Sequence, residues 1–253
     1  MVDQRTICWF SAGAASAIAT QLTLKDMREG EVVICRCDTG AEHEDNDRFE
    51  ADCAAWFGQE IITLKNDEYK DTWDVWEKTR WLAGIKGARC TSELKIIPRQ
   101  DFQRVEGDSH VFGYTADSSD VARAKRLTEN HFELTIETPL IERGLTKAAC
   151  IKMLSRAGIA PPITYAMGFH NANCLPCVKA TSPNYWALIR KEFPDKFDRM
   201  ARLSRDLGVR LARVKGDRVF IDEIPADWPT TDPIVADCDF LCAIAERDIS
   251  DGE

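Results

Sequence analysis

The sequence predicts an α/β fold, a parallel twisted sheet with helices on both faces, followed by a C-terminal helical and hairpin extension. Three observations predict it. Short apolar runs alternate with amphipathic stretches of roughly a dozen residues over the first 160 positions, which is the pattern of βαβ units. Small-residue and acidic turns, Ser11–Ser16 and Asp38–Gly40, close the first two runs, where open α/β sheets place their ligand loops. The composition is that of a globular chain: 253 residues, 44% hydrophobic and 30% charged, with 14 Gly and 10 Pro, which excludes disorder, collagen and coiled coil.

The elements follow in order. Thr6–Phe10 is the first apolar run, and a helix is expected over Ala17–Met27, with Ile18, Leu22 and Leu24 on its apolar face. Val32–Cys35 is the second run, and Asp45–Phe57 the second helix, with Phe49, Cys53 and Trp56–Phe57 at helical spacing. Ile61–Leu64 is the third strand and Val75–Leu82 a helix. His110–Tyr114 and Leu134–Ile136 are the fourth and fifth strands, flanking a basic helix over Ser119–Thr128. Thr146–Ala157 reads as a helix, with Thr146 as N-cap and Gly158 as C-cap. Pro161–Pro162 breaks the pattern. A long charged helical region, Pro183–Leu207, is interrupted near Pro194, and Val209–Ile224 reads as a β-hairpin turning at Lys215–Gly216–Asp217. The expected division is an α/β core over 1–160 and a C-terminal extension over 161–253, folded back on that core.

Lys and Arg number 33 against 42 Asp and Glu, a formal net charge of −9. That disfavours nucleic acid as a partner, while leaving room for a local basic groove. No apolar run has the length of a membrane helix and Met1–Arg5 lacks the form of a signal peptide, so a cytoplasmic protein without membrane contact is expected. Ten cysteines in such a chain are not explained by disulfides. Cys8, Cys35, Cys37, Cys53 and Cys150 sit in apolar runs and read as small buried hydrophobes. Cys90, Cys174, Cys177, Cys238 and Cys242 do not.

Ser11-x-Gly13-x-x-Ser16 lies between the first strand and first helix. There, small residues (Gly13, Ala14) let the backbone approach an anion, with N–H groups, the helix terminus and Ser hydroxyls as donors. It is neither a Walker A loop nor a dinucleotide Gly-x-Gly-x-x-Gly. Asp38, Thr39 and Gly40 end the second strand on the same edge, where a carboxylate and hydroxyl suit a ribose or adenine. Gly113 ends the fourth strand there, and Arg123, Lys125 and Arg126 follow as cations for a phosphate or sulfate. Cys174-Leu-Pro-Cys177 is a C-x-x-C preceded by Asn171 and Asn173. Cys90 stands among Arg89 and Lys95, and Cys238-x-x-x-Cys242 puts two sulfurs on one face if helical. With only four His, of which His170 alone is near the C-x-x-C, a Cys-only centre is expected. An iron–sulfur cluster comes first, with zinc, a redox dithiol, or scattered cysteines that bind nothing as alternatives.

These residues carry a resemblance. Ser11–Ser16 resembles the PP-loop of the adenine nucleotide α-hydrolase-like superfamily, and Asp38-Thr39-Gly40 with Glu42 resembles the second-strand motif of its phosphoadenylyl-sulfate (PAPS) reductase branch. Arg89-Cys90 through Lys95 and Pro98 is similar to the Cys-Cys-x-x-Arg-Lys-x-x-Pro segment of adenylyl-sulfate (APS) reductases. Asn173-Cys174-Leu-Pro-Cys177 is similar to their Gly-Cys-x-x-Cys. The likeness spans residues 5 to about 180, and the chain as a whole resembles most the divergent members found in phages and prophages. It implies a PP-loop fold, an ATP, APS or PAPS ligand, and a 4Fe–4S cluster held by Cys90, Cys174 and Cys177. Cys242 or Cys238 would be the fourth ligand, unless one iron stays open as in the iron–sulfur PP-loop tRNA thiolases. It further implies a thiol electron donor such as thioredoxin, and admits a homodimer. Two departures stand out. Cys90 has no adjacent Cys, and the reductases' C-terminal Glu-Cys-Gly-x-His is replaced by Asp237-Cys238-Asp-Phe-Leu-Cys242, leaving Cys238 or Cys242 as the expected nucleophile. The implied reaction is reductive sulfur transfer from an adenylyl-sulfate. ATP-dependent sulfur insertion into tRNA or DNA, and a nucleotide or cluster sensor without turnover, are the alternatives.

Overall fold

The structure is a computed structural model and describes residues 4–26, 30–85, 87–237 and 240–250. Strand β1 (Arg5–Trp9) turns into α1 (Ala14–Lys25), β2 (Glu31–Cys37) into α2 (Asp45–Phe57), and β3 (Ile61–Leu64) into α3 (Thr72–Thr79). A minimal hairpin, β4 (Ala83–Gly84) and β5 (Gly87–Ala88), leads into a composite helix. It comprises α4 (Arg89–Thr91), a π-helical stretch (Ser92–Ile96) and α5 (Ile97–Phe102). Then come β6 (Asp108–Phe112), α6 (Ser118–Asn130), β7 (Thr135–Glu137), α7 (Pro139–Glu142), α8 (Lys147–Arg156) and α9 (Ile163–Ala166). The extension holds α10 (Pro183–Glu192), α11 (Pro194–Asp206), the hairpin β8 (Ala212–Val214) and β9 (Asp217–Val219), a 3₁₀ turn at Ile221–Glu223, and α12 (Phe240–Ser250).

Five strands make one parallel sheet in the order β3-β2-β1-β6-β7. The central strands read as apolar runs because both faces are covered. Cys8 and Ile34 point into a large cluster with α1, α2 and α8, while Ile7, Trp9, Val33 and Cys35 form a smaller one on the opposite face with Phe102 and Phe112. This is the α/β architecture expected, with the chain order reversing at β1, so the crevice beyond the carboxyl ends of β1, β2 and β6 lies at a topological switch point.

A third cluster joins both sides of residue 160: Trp73, Trp76, Leu82 and Ala88 pack with Phe169, Leu175, Trp186, Phe197, Leu211 and Ile224. The extension builds its core on the α3–β5 segment, while α12 returns to pack on α1 and α8.

Several boundaries move for local reasons. Helix α1 starts at Ala14 rather than Ala17, because Gly13 is extended and serves as N-cap. Helix α3 starts at Thr72 rather than Val75, because the Asp71 carboxylate accepts from the Asp74 N–H at 2.9 Å. The Thr146 hydroxyl caps α8 as expected, accepting from Ala149 N, whereas the C-cap is Ala157 and Gly158 follows in the left-handed region (φ 76°). Pro194 does start a new helix, and Lys215–Gly216 turns the expected hairpin with two positive φ angles.

Candidate functional site

The β1–α1 turn is held in shape by its own hydroxyls. Ser16 Oγ accepts from Ser11 N at 3.0 Å and from Gly13 N at 3.4 Å, donates to Gly13 O at 2.9 Å, and lies 3.1 Å from Ser11 Oγ. Ala12 adopts a positive φ of 51° to make the turn. A residue the sequence did not single out completes it. The buried Tyr165 hydroxyl accepts from Ala14 N at 3.2 Å. Backbone donors, a helix N-terminus and two hydroxyls thus gather at one point, with donors that currently satisfy one another.

Gly113 belongs to this turn by packing. A Cβ there would stand 2.7 Å from Ser16 N and Cα, so only glycine lets the end of β6 meet the start of α1. Beyond it, Thr115, Asp117 and Asp120 form a hydrogen-bonded knot, and Asp117 also accepts from Lys147 N at 3.0 Å. Arg123 is exposed, pairs with Asp120 at 2.8 Å and lies over the Tyr114 ring; Lys125 and Arg126 are exposed on the same helix.

At the end of β2, Asp38 accepts from Gly40 N at 2.9 Å and pairs with Lys65 at 2.7 Å, which together hold its carboxyl below the usual range against the opposing effect of burial. Gly40 is left-handed (φ 62°) and abuts Lys70 O. A polar pocket of about 430 Å³ opens beside Asp38, lined by Lys65, Asn66, Tyr69, Lys70 and Lys78 among others. Thr39 is buried, and its Oγ1 lies 3.1 Å from Cys174 Sγ and donates to Glu42 at 3.3 Å. Glu42 in turn pairs with the buried Arg36 at 2.9 Å and sits 3.9 Å from Lys95 Nζ.

The C-x-x-C segment is docked on this loop. Leu175 N donates to Ala41 O at 2.8 Å, and Cys177 N donates to the Tyr185 hydroxyl at 2.6 Å. Upstream, Lys147 Nζ, at the start of α8, donates to Asn171 Oδ1 at 2.6 Å and to His170 O at 3.2 Å. Residues 170–177 thus arch across the carboxyl edge from α8 to the turn after β2.

Cys90, remote in sequence from the C-x-x-C, lies near enough to Cys177 for their charges to act on one another. Cys90 and Cys174 each interact with Cys177, and the charge of Lys95 acts on Cys90 and Cys174. Burial lowers the Lys95 ammonium, but Cys174, Glu42, Cys37 and Cys177 more than offset this and raise it. Burial pushes Cys174 up to about 12, so the unliganded thiol is neutral; a bound metal reverses that logic by favouring thiolate. The Trp76 indole N–H, fully buried and lacking an ordinary hydrogen-bond partner, faces Cys90 and counters the upward push of burial on that thiol. A buried donor set toward a sulfur fits a thiolate better than a thiol. The all-sulfur donor set, the adjacent cation and the waiting N–H fit an anionic cysteine-ligated cluster. Among the described residues no three His, Cys, Asp or Glu stand close enough to hold a single metal ion.

Two expected residues lie elsewhere. Cys238 is outside the described residues. Cys242 is fully buried on α12 in the cluster shared with α1 and α8 and is disulfide-bonded, which corrects the expectation that disulfides play no part, and the structure does not bring it to Cys90, Cys174 and Cys177. Of the apolar-run cysteines, Cys8, Cys35, Cys53 and Cys150 are buried as expected, whereas Cys37 is only half-buried and sits beside Lys95. Cys37, Tyr165 and Lys147 are what sequence reading missed, and of these Cys37 carried a signal, its place directly before Asp38-Thr39-Gly40. Lys95 is legible in the sequence only as a cation beside Cys90, not as one that also acts on Cys37 and Cys174. No protein-family model and no curated protein matches the chain. Among the described residues no helix is long and apolar enough to cross a membrane.

Proposed function

We propose that this protein is an adenine-nucleotide-binding enzyme of sulfur chemistry, using a 4Fe–4S cluster held by Cys90, Cys174 and Cys177, and that it transfers sulfur reductively from an adenylyl-sulfate. The observation that carries the reading is the 3.1 Å contact between Thr39 Oγ1 and Cys174 Sγ, which joins the turn suited to a nucleotide to the thiol set. The resemblance to the PAPS and APS reductases supports it from the sequence side. Ser11, Gly13, Ala14 and Ser16 would hold the phosphates, with Tyr165 yielding the Ala14 N–H to them. Asp38 and Gly40 would face the nucleoside, and Arg123, on α6 beyond Gly113, would offer a cation to the sulfate end. In the step itself, once a dithiol has reduced the C-terminal cysteines, a Cys238 thiolate attacks the sulfuryl sulfur and the S–O bond to the adenylate breaks. The adenylate leaves with the electron pair, and a dithiol such as thioredoxin supplies two electrons to release sulfite and is itself oxidised to a disulfide.

The burial of Cys242 in the α1–α8 layer favours a second reading, ATP-dependent sulfur insertion into tRNA or DNA, in which no reductase nucleophile is needed. Anaerobically purified protein separates the two. Sulfite released from APS or PAPS with reduced thioredoxin, and lost in Cys238→Ser, supports the first. Pyrophosphate released from ATP, and lost in Ser11→Ala, supports the second. A protein that turns over neither but binds adenylate tightly would be a sensor, and both catalytic readings would fall.

A further inference from the structure

Three cysteines leave a four-iron cluster one ligand short; Cys242 is buried in the α1–α8 layer, and Cys238 lies outside the described residues. The geometry points to Cys37 as the fourth sulfur, an inference that rests on the cluster reading above. Cys37 is the last residue of β2, half-buried where Cys8, Cys35, Cys53 and Cys150 are fully so. Its Sγ donates to Lys95 O at 3.6 Å, against the π-helical stretch that carries Lys95. Thr39, which touches Cys174 Sγ, is two residues further along. The chain between them is still extended, since Asp38 N donates to Leu64 O at 2.9 Å in continuation of the β2–β3 ladder. Two residues of extended chain span about 7 Å, so Cys37 stands one such step from the Thr39–Cys174 contact.

Lys95 ties the four together. Its ammonium interacts with Cys37, Cys174 and Cys177, and its charge also reaches Cys90. Four thiolates around a four-iron core carry net negative charge, which an adjacent ammonium offsets. A thiol donating to a backbone carbonyl at 3.6 Å gives up little by rotating toward iron, because S–H is a weak donor. Cys35 shares the strand but is fully buried in the Ile7–Trp9–Val33 cluster, which makes it the control.

The test is iron and acid-labile sulfide per chain, with the visible spectrum, for anaerobically purified wild type, Cys37→Ala, Cys35→Ala and Cys242→Ser, before and after brief air exposure. With Cys37 as ligand, the wild type keeps about four irons, while Cys37→Ala loses about one in four on exposure. Cys37→Ala also changes its spectrum when a small thiol is added, because the open iron takes it up. Cys35→Ala and Cys242→Ser behave as wild type. A wild type that never holds iron overturns the cluster reading and this inference with it. A wild type that holds iron, with Cys37→Ala matching it in iron retention and blind to added thiol, overturns only the assignment of Cys37. So does loss of iron that follows Cys242 instead.

Discussion

Single atoms decide much of this site. Gly113 is fixed by backbone on the far side, so Gly113→Ala must move α1 or β6. We expect it to cost about 1–3 kcal/mol in urea unfolding and to abolish adenylate binding. Tyr165→Phe removes the acceptor of Ala14 N–H and leaves a buried donor unpaired, a loss of about 1–3 kcal/mol. Because a phosphate would satisfy that N–H, thermal shift should show ATP or pyrophosphate stabilising Tyr165→Phe more than the wild type. An equal shift would place the anion elsewhere. The Arg5–Asp108 pair, with Asp108 wholly buried, sits at the opposite, amino edge of the sheet. Burial raises the Asp108 carboxyl, but Arg5 and the Arg104 N–H more than offset this and hold it below the ordinary range. A depressed carboxylate gives stability that is present above its unfolded pKa of about 3.9 and lost as pH falls through the lower folded value. Asp108→Asn should therefore cost about 3 kcal/mol at pH 7, and the gap to wild type should close below roughly pH 4.

At the scale of elements, the βαβ core was legible because its signals are local. Ile61–Leu64 and Asp45–Phe57 declare their period within their own length, and Thr146 declares its cap; Thr146→Ala should destabilise the protein by about 1 kcal/mol, read by denaturant midpoint at unchanged slope. What local pattern could not reveal is which surfaces the elements share. The α3–β5 segment reads as one more unit of the alternation, yet Trp76 and Leu82 pack with Trp186 and Leu211, more than a hundred residues on. Nor did any period announce the π-helical stretch at Ser92–Ile96. That geometry is met at functional sites, and here it carries Lys95, while Asn66 Nδ2 and Cys37 Sγ donate to its Glu93 and Lys95 carbonyls. For the same reason Cys37 read as one more apolar-run residue: strand alternation shows that it differs from Arg36, not what lies opposite it.

For the whole molecule, the fold brings three separate stretches to one sheet edge: the turn after β1, the turn after β2, and the 170–177 arch between α8 and Ala41. The motifs were visible one by one in the sequence. Their meeting at the Thr39–Cys174 contact depends on the extension folding back onto the α3–β5 segment, which only the three-dimensional path supplies. The same path carries Cys242 to the α1–α8 layer. A nucleotide turn and a thiol set that share a contact should sense each other. The most direct measurement is therefore an adenylate titration of the anaerobically purified protein, followed by its visible and paramagnetic resonance spectra. A single site predicts a saturable change in the cluster signal with the same midpoint as nucleotide binding, and loss of that coupling in Thr39→Val. A cluster signal indifferent to saturating nucleotide would contradict the account, because the two would then be separate features of one sheet edge.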